Sequence, residues 1–418
     1  MNRVVVTGLG FITSIGNSKA DVLQSLREAR SGVDLFEPLV ESNSPVKLAG
    51  TIKGFDFPSD DPIDWILPES IALKRAELRT MTPNALFAYA AMLEAIRDAG
   101  LAPSQVSSPD TGLYCASAGS AWLTHTGLVD ILTRGPGRVA PPVIIAGMPN
   151  SLHLNLVARF KIKGASVGFS SACSSSAHAL GHAFDLIKSG RQNFMFVVGA
   201  EDCHPHNILP FAGLRALSVQ TDPSVAPCAF DVSRDGFVVT GGGVVLVLEN
   251  AVEAERRGAE IYSEIVGWGQ ASDGYDVVAP DPSGAGLAAA MHNALKESNL
   301  HPDQVDYVNA HATSTATGDL AEGNAIRSVF GPSRYPYISS TKSITGHGLS
   351  LAGAMEAAFC CLSIREKFMP VSANIRVLDP AFADLPILVK PIDTPPRVVL
   401  SNSSGFGGAN VSLAFASV

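Results

Sequence analysis

Hydrophobic and polar positions along this chain fall into two alternating textures. Runs that are apolar at nearly every position, at residues 4–7, 167–170, 194–199 and 244–248, predict short strands buried on both faces, as in parallel sheets. Between them, apolar residues recur at helical spacing over residues 83–99, stopping at Gly100, and over 177–188, stopping at Gly190. Strand, helix, strand, helix predicts an α/β fold. A softer echo divides the chain. SACSSSAHALGHAFDLIKSG follows a strand in the first half, and SSTKSITGHGLSLAGAMEAAFCCLSIREK follows one in the second. Each is a strand, a loop of small residues and an Ala-rich helix, which predicts two related halves, 1–255 and 256–418.

Composition narrows the class. The 418 residues are 46% hydrophobic and only 17% charged, enough to bury one large core or two moderate ones. A net charge of −9 argues against nucleic acid as the main partner, because phosphate recognition needs a basic footprint. Six cysteines without a CxxC or regular spacing do not make a disulfide framework and suit a reducing cytoplasm. MNRVVVTGLG is too short an apolar run for a signal peptide, and no segment has the length of a membrane helix. The chain reads as soluble, with no membrane contact.

Four segments carry candidate chemistry. In GFSSACSSSAH (168–178), Cys173 sits where a buried strand meets a helix whose apolar face is Ala177, Leu180, Phe184 and Ile187. Free N–H groups and the helix dipole there favour a thiolate. Small neighbours leave room for a bulky thioester, so this cysteine reads as a nucleophile rather than as a structural core residue. In YVNAHATSTATGD (307–319), His311 ends a short strand and faces the crevice where α/β sheets place ligands. A satisfied loop histidine fits that position as well. In ISSTKSITGHG (338–348), His347 precedes a helix, where the dipole keeps an imidazole neutral and able to donate to an oxyanion. In SNSSGFGGAN (401–410), three glycines surround Phe406. A tight turn accounts for the glycines and not for the aromatic.

Together these segments resemble the β-ketoacyl-ACP synthases of dissociated fatty acid synthesis, over nearly the whole chain. FKIKGASVGFSSACSSSAH, RDGFVVTGGG and IYSEIVGWGQASDGYDVVAP place it nearer the type I branch. The resemblance implies a thiolase-like, duplicated α-β-α-β-α five-layer fold with mixed central sheets. It implies that Cys173 is acylated and that the N–H groups of Cys173 and Phe406 form the oxyanion hole. His311 and His347 then hold the malonyl carbonyl and stabilise the enolate left by carbon dioxide. Lys342 pairs with Glu356 and orients the histidines, Thr313 and Thr315 hold pantetheine, and Phe237 and Phe406 wall and gate the malonyl pocket. No metal or cofactor of the chain's own is implied, since phosphopantetheine arrives on the acyl carrier protein. The implied partners are that carrier, malonyl and acyl thioesters, and a second copy in a homodimer.

This sequence departs from the family pattern at three places. Ala312 replaces a Gly after His311 and narrows backbone freedom, Ser404 replaces an aromatic beside GFGG, and Gly119 and Trp122 fall in the segment that shapes the far end of the acyl tunnel. Other signals are weaker. Gly8-Leu-Gly10 lacks the third glycine and the acid of a dinucleotide loop. His178 and His182 have zinc-ligand spacing without a completing ligand and read as packed. Lys74, Arg75 and Arg79 form a basic cluster that is either a solvated face or a dock for the acidic carrier. Three alternatives stand beside fatty acid elongation: a ketosynthase of a polyketide or polyene pathway, a non-catalytic partner that sets chain length, and a cysteine hydrolase. Partners of the second kind usually lose the cysteine, and a hydrolase leaves Lys342 and one histidine unexplained.

Overall fold

The fold is that of a computed structural model, and the residues described are 1–139, 143–146, 148, 150–331 and 334–418. Among the described residues twelve strands follow one another: β1 (Val4–Ile12), β2 (Val33–Leu35), β3 (Leu48–Gly50), β4 (Thr111–Ala116), β5 (Ser166–Phe169), β6 (Phe194–Glu201), β7 (Gly242–Asn250), β8 (Ser263–Ser272), β9 (Tyr307–Asn309), β10 (Tyr337–Ser339), β11 (Val398–Gly405) and β12 (Ala409–Ala416). The longer helices among the described residues are α1 (Lys19–Glu28), α2 (Pro83–Asp98), α3 (Ala121–Arg134), α4 (Leu152–Phe160), α5 (Ser175–Lys188), α6 (Ala285–Glu297), α7 (Ala316–Phe330) and α8 (Ala352–Glu366).

Ten strands form one mixed sheet in the order β10-β9-β11-β12-β8-β1-β7-β6-β4-β5. Counted outward from the middle, β1-β7-β6-β4-β5 and β8-β12-β11-β9-β10 have the same order along the chain and the same directions. In each, the first two pairings are antiparallel and the last two parallel. The β5–α5 and β10–α8 crossovers, which carry the two echoing sequences, are therefore topologically equivalent. The two sets meet where β1 pairs with β8 at Val4↔Ile265, Val5↔Glu264 and Val6↔Ser263.

Helices fill the remaining layers. α5 and α8 pack on each other between the two sets of strands, α2 covers β1, β6 and β7 on one outside, and α6 with α7 covers β8 and β12 on the other. α8 occupies the centre because it is apolar or small all round except at Glu356, which pairs with Lys342: every residue from Ala352 to Ile364 is buried. No helix of the described residues is long and apolar enough to cross a membrane.

Two details differ from the sequence reading. β1 and β7 each run antiparallel to both neighbours, although all nine positions of each are buried. A strand covered by helices on both faces looks the same from sequence whichever way its neighbours run. β5 is an edge strand, and Ser166 and Val167 are exposed rather than buried. Gly8 and Gly10 lie within β1, against α2, and not in a phosphate loop.

Candidate active site

The β5–α5 crossover makes a tight elbow. Ala172 takes the left-handed conformation at φ 51°, a cost that side chains meet only where the surroundings impose it. Hydroxyls impose it here. Ser175 Oγ accepts from Ser171 N at 2.8 Å and donates to Ala172 O at 2.6 Å, while Ser174 Oγ donates to Ser171 O at 2.8 Å. Cys173 follows at the start of α5, buried in this chain. Burial pushes its thiol up to about 12, and the nearby Lys342 charge only partly opposes this. The expected thiolate is thus corrected to a resting thiol: desolvation of the anion outweighs the favourable charges around it.

The equivalent β10–α8 crossover supplies Lys342 and His347, and the loop after β9 supplies His311. The two imidazole rings stand 5.3 Å apart and nearly perpendicular. Burial, and then Lys342, hold both well below the usual histidine range, so both are neutral. Neither Nδ1 has a hydrogen-bond partner among the described residues. Lys342 is 2% exposed and forms an ion pair with the fully buried Glu356 of α8. Burial pushes Glu356 up to about 7 against the attraction of Lys342. The Lys342 charge thus acts on Cys173 and on both histidines.

Aromatic rings lead outward from this cluster. Phe237 stands edge-on to His347 at 5.2 Å, Phe211 packs on Phe237 at 5.6 Å, and Phe406 follows at 6.2 Å. Phe406 is half-buried at the turn between β11 and β12, immediately after Gly405. A Cβ on Gly405 would lie 2.5 Å from Ser171 O and 3.2 Å from Cys173 N, so the Phe406 turn and the elbow are in direct contact. Thr313 and Thr315 share a hydroxyl contact at 3.1 Å, and Thr315 also caps α7 by accepting from Gly318 N. Ala312 fits without a left-handed backbone, and the strained residue is Ser314, at φ 73°. Ser404 lines a cavity of about 50 Å³ together with His311 and Thr313.

The remaining sequence candidates lie elsewhere. Trp122 stacks on His204 at 4.4 Å, and Gly119 O accepts from Asn207 Nδ2 at 2.9 Å. His182 stacks on Phe169, and His178 contacts Ser171 Oγ at 2.9 Å. Lys74, Arg75 and Arg79 are exposed on and beside a one-turn helix, and none of them forms an ion pair among the described residues.

Sequence reasoning missed the acids behind the histidine loop. Glu322 of α7 accepts from His311 N at 3.0 Å, Ala312 N at 2.7 Å and Asn402 Nδ2 at 3.0 Å. Asp319 accepts from Ser314 N and Phe230 N, each at 3.0 Å. The signal was available, since both acids fall on the buried stripe of α7 with Ile326 and Val329. Carboxylates on an apolar stripe need donors, and loop N–H groups supply them.

A buried cysteine at an elbow, two neutral imidazoles and a buried lysine on a duplicated α/β frame define an acyl-transferring condensing enzyme of thiolase-like fold. Residues 1–254 match the family model of the β-ketoacyl synthase N-terminal domain, and residues 262–376 that of its C-terminal domain. The chain is 42% identical to the 3-oxoacyl-[acyl-carrier-protein] synthase 1 of Haemophilus influenzae, covering 99% of each chain. A β-ketoacyl synthase crystal structure from Burkholderia phymatum superposes with a TM-score of 0.89 at 33% identity, covering 100% of both chains. A type II polyketide ketosynthase solved with its acyl-carrier protein gives 0.88 at 27% identity, over 100% of this chain and 99% of that one. The chain belongs to the β-ketoacyl synthase family.

Proposed function

We propose that this protein elongates fatty acids in the cytoplasm by decarboxylative condensation of an acyl-ACP with malonyl-ACP. The carrying observation is the pair of neutral, desolvated imidazoles of His311 and His347, which feel the same Lys342 charge as Cys173 at the helix N-terminus. Cys173 attacks the acyl carbonyl, and the oxyanion rests on the N–H groups of Cys173 and Phe406. Because the thiol is protonated at rest, its proton leaves with the carrier thiol as the acyl–sulfur bond to Cys173 forms. Malonyl thioester then places its carbonyl oxygen between His311 and His347. Loss of carbon dioxide leaves an enolate that both imidazoles stabilise by donating hydrogen bonds. Its carbon attacks the acyl-cysteine and breaks the acyl–sulfur bond, releasing β-ketoacyl-ACP and a Cys173 thiolate that takes up a proton from solvent to return to the resting thiol. Lys342, held by Glu356, keeps the imidazoles neutral and oriented, and Phe237 and Phe406 wall the pocket. Thr313 and Thr315 hold the pantetheine arm, and no cofactor beyond that arm takes part.

The names of the full-length relatives favour fatty acid synthesis over a polyketide pathway. Three exposed cations, Lys74, Arg75 and Arg79, suit an acidic carrier. A homodimer is supported by the free edge of β5, where Val167 is 44% exposed, and by Leu128, Val129 and Leu132 on α3, all exposed. The experiment is to supply malonyl-ACP and a ladder of acyl-ACPs and weigh the products. Each acyl-ACP that is used should yield a β-ketoacyl product two carbons longer, and Cys173→Ala should form no acyl-enzyme. His311→Ala and His347→Ala should each slow decarboxylation by roughly 10²–10³, the cost of a lost oxyanion donor, yet still acylate Cys173. If both fail mainly at acylation, the histidines are bases for the thiol and the division of labour is wrong.

A further inference from the structure

Glu201 ends the apolar strand β6 and is completely buried. Its Oε1 accepts from Ala118 N at 3.0 Å, from Ser350 N at 3.2 Å and from the Ser350 hydroxyl. Its Oε2 is buried without a hydrogen-bond partner among the described residues. Neither half-reaction uses this carboxyl. Ser350, however, lies three residues after His347, and Leu349 between them is held at φ 51°. A leucine stays in that conformation only where both flanks are fixed.

Both flanks are fixed here. Upstream, His347 N donates to Val238 O at 2.7 Å and Thr240 N donates to His347 O at 3.0 Å. Downstream, the anchor is Glu201 on Ser350. The equivalent strand of the other half plays the same part for the other elbow: Gly405, ending β11, abuts Ser171 and Cys173, next to the strained Ala172. In each direction one half of the chain braces the reactive crossover of the other. Gly199 completes the contact from β6, since a Cβ there would lie 2.9 Å from Leu351 Cα.

We propose that Glu201 is a positioning residue for decarboxylation, fixing the His347 loop through Ser350 and tying it to the Ser117–Ser120 turn. The inference rests on the role given above to His347. Burial pushes Glu201 up to about 8, so at neutral pH it is a neutral acid for which glutamine is a close substitute. The charged and titratable groups around it are Asp202, raised to about 6 by burial and bonded to Ser120 Oγ and His204 N, and Cys173, whose thiol Glu201 would push up further once ionised.

The test uses the full-length protein with Glu201→Ala, Glu201→Gln and Ser350→Ala. Decarboxylation of malonyl-ACP, acylation of Cys173 and the melting temperature are measured for each. Glu201→Ala and Ser350→Ala should lose decarboxylation by a factor of about 10 to 10², the scale of a small misplacement of a reacting group, while acylation stays near native. Glu201→Gln should restore the rate at pH 7. A merely structural carboxyl would lower the melting temperature without separating the two half-reactions. Should Glu201→Ala fail to fold, Ser350→Ala carries the test, because it deletes one hydroxyl and keeps the Ser350 N–H bond. A folded variant that decarboxylates at the native rate, or that loses both half-reactions equally, overturns the proposal. Native protein that cannot decarboxylate malonyl-ACP would instead remove the functional reading on which it stands.

Discussion

Cys173 shows how one residue can be legible in identity and misread in state. Small neighbours and a following helix marked it as the candidate nucleophile, and those are local features of the sequence. Its protonation depends on burial from elements far along the chain, including β11 and α8, and no local pattern reveals that. A thiol raised to about 12 has a chemical signature. Alkylation of Cys173 by a small haloacetamide should be slow at pH 7 and should still be accelerating between about pH 8 and 10, because only the thiolate reacts. A rate that levels off below about pH 8 would mean that the helix N-terminus wins after all. Glu322 and Glu201 are the complementary case. Each is plain in the sequence as an acid among apolar residues, but its role appears only when the loop N–H groups it serves are seen beside it.

Among the elements, apolar runs located the strands of the first half well and said little about their partners. β1, β6 and β7 all extend beyond the predicted runs, because Gly, Glu and Asn continue strands that neighbours on both sides already pair. β9 and β10 are three residues each, too short for any periodicity to show. The four chemical segments were more legible than the strands that carry them, since each combines a reactive residue with small residues that bulk would exclude. The elbow and the Phe406 turn offer a test of that exclusion. Gly405→Ala would push a methyl against Ser171 O and Cys173 N. Acylation of Cys173 should fall by about tenfold or more, on the scale expected when a reacting atom is displaced by a fraction of an ångström. Unchanged acylation would show that the Phe406 turn does not support the elbow.

For the molecule as a whole, the repeat of strand order is complete although the sequence echo is confined to one crossover in each half. Topology survives where side chains have diverged, because the same order is kept by quite different packing residues. Two expectations belong to this scale. The free β5 edge and the apolar face of α3 should be covered by a second copy, so light scattering at micromolar concentration should report a dimer, and Val167→Lys together with Leu132→Lys should shift it toward monomer. A native monomer would leave that surface without its occupant. Reversing the charges of Lys74, Arg75 and Arg79 should raise KM for acyl-ACP and flatten its salt dependence, while small acyl thioesters react nearly as before. Equal losses on both substrates would place the three cations outside carrier recognition.

The division of the site between halves also orders events in time. A ribosome makes Cys173 well before it makes His311, His347, Glu356 or Phe406, and the elbow that presents the cysteine is braced by Gly405. Until those later residues emerge and dock, the nascent chain holds the thiol without the Phe406 N–H and without the two histidines. On the roles proposed above, the chain becomes competent only late in its synthesis.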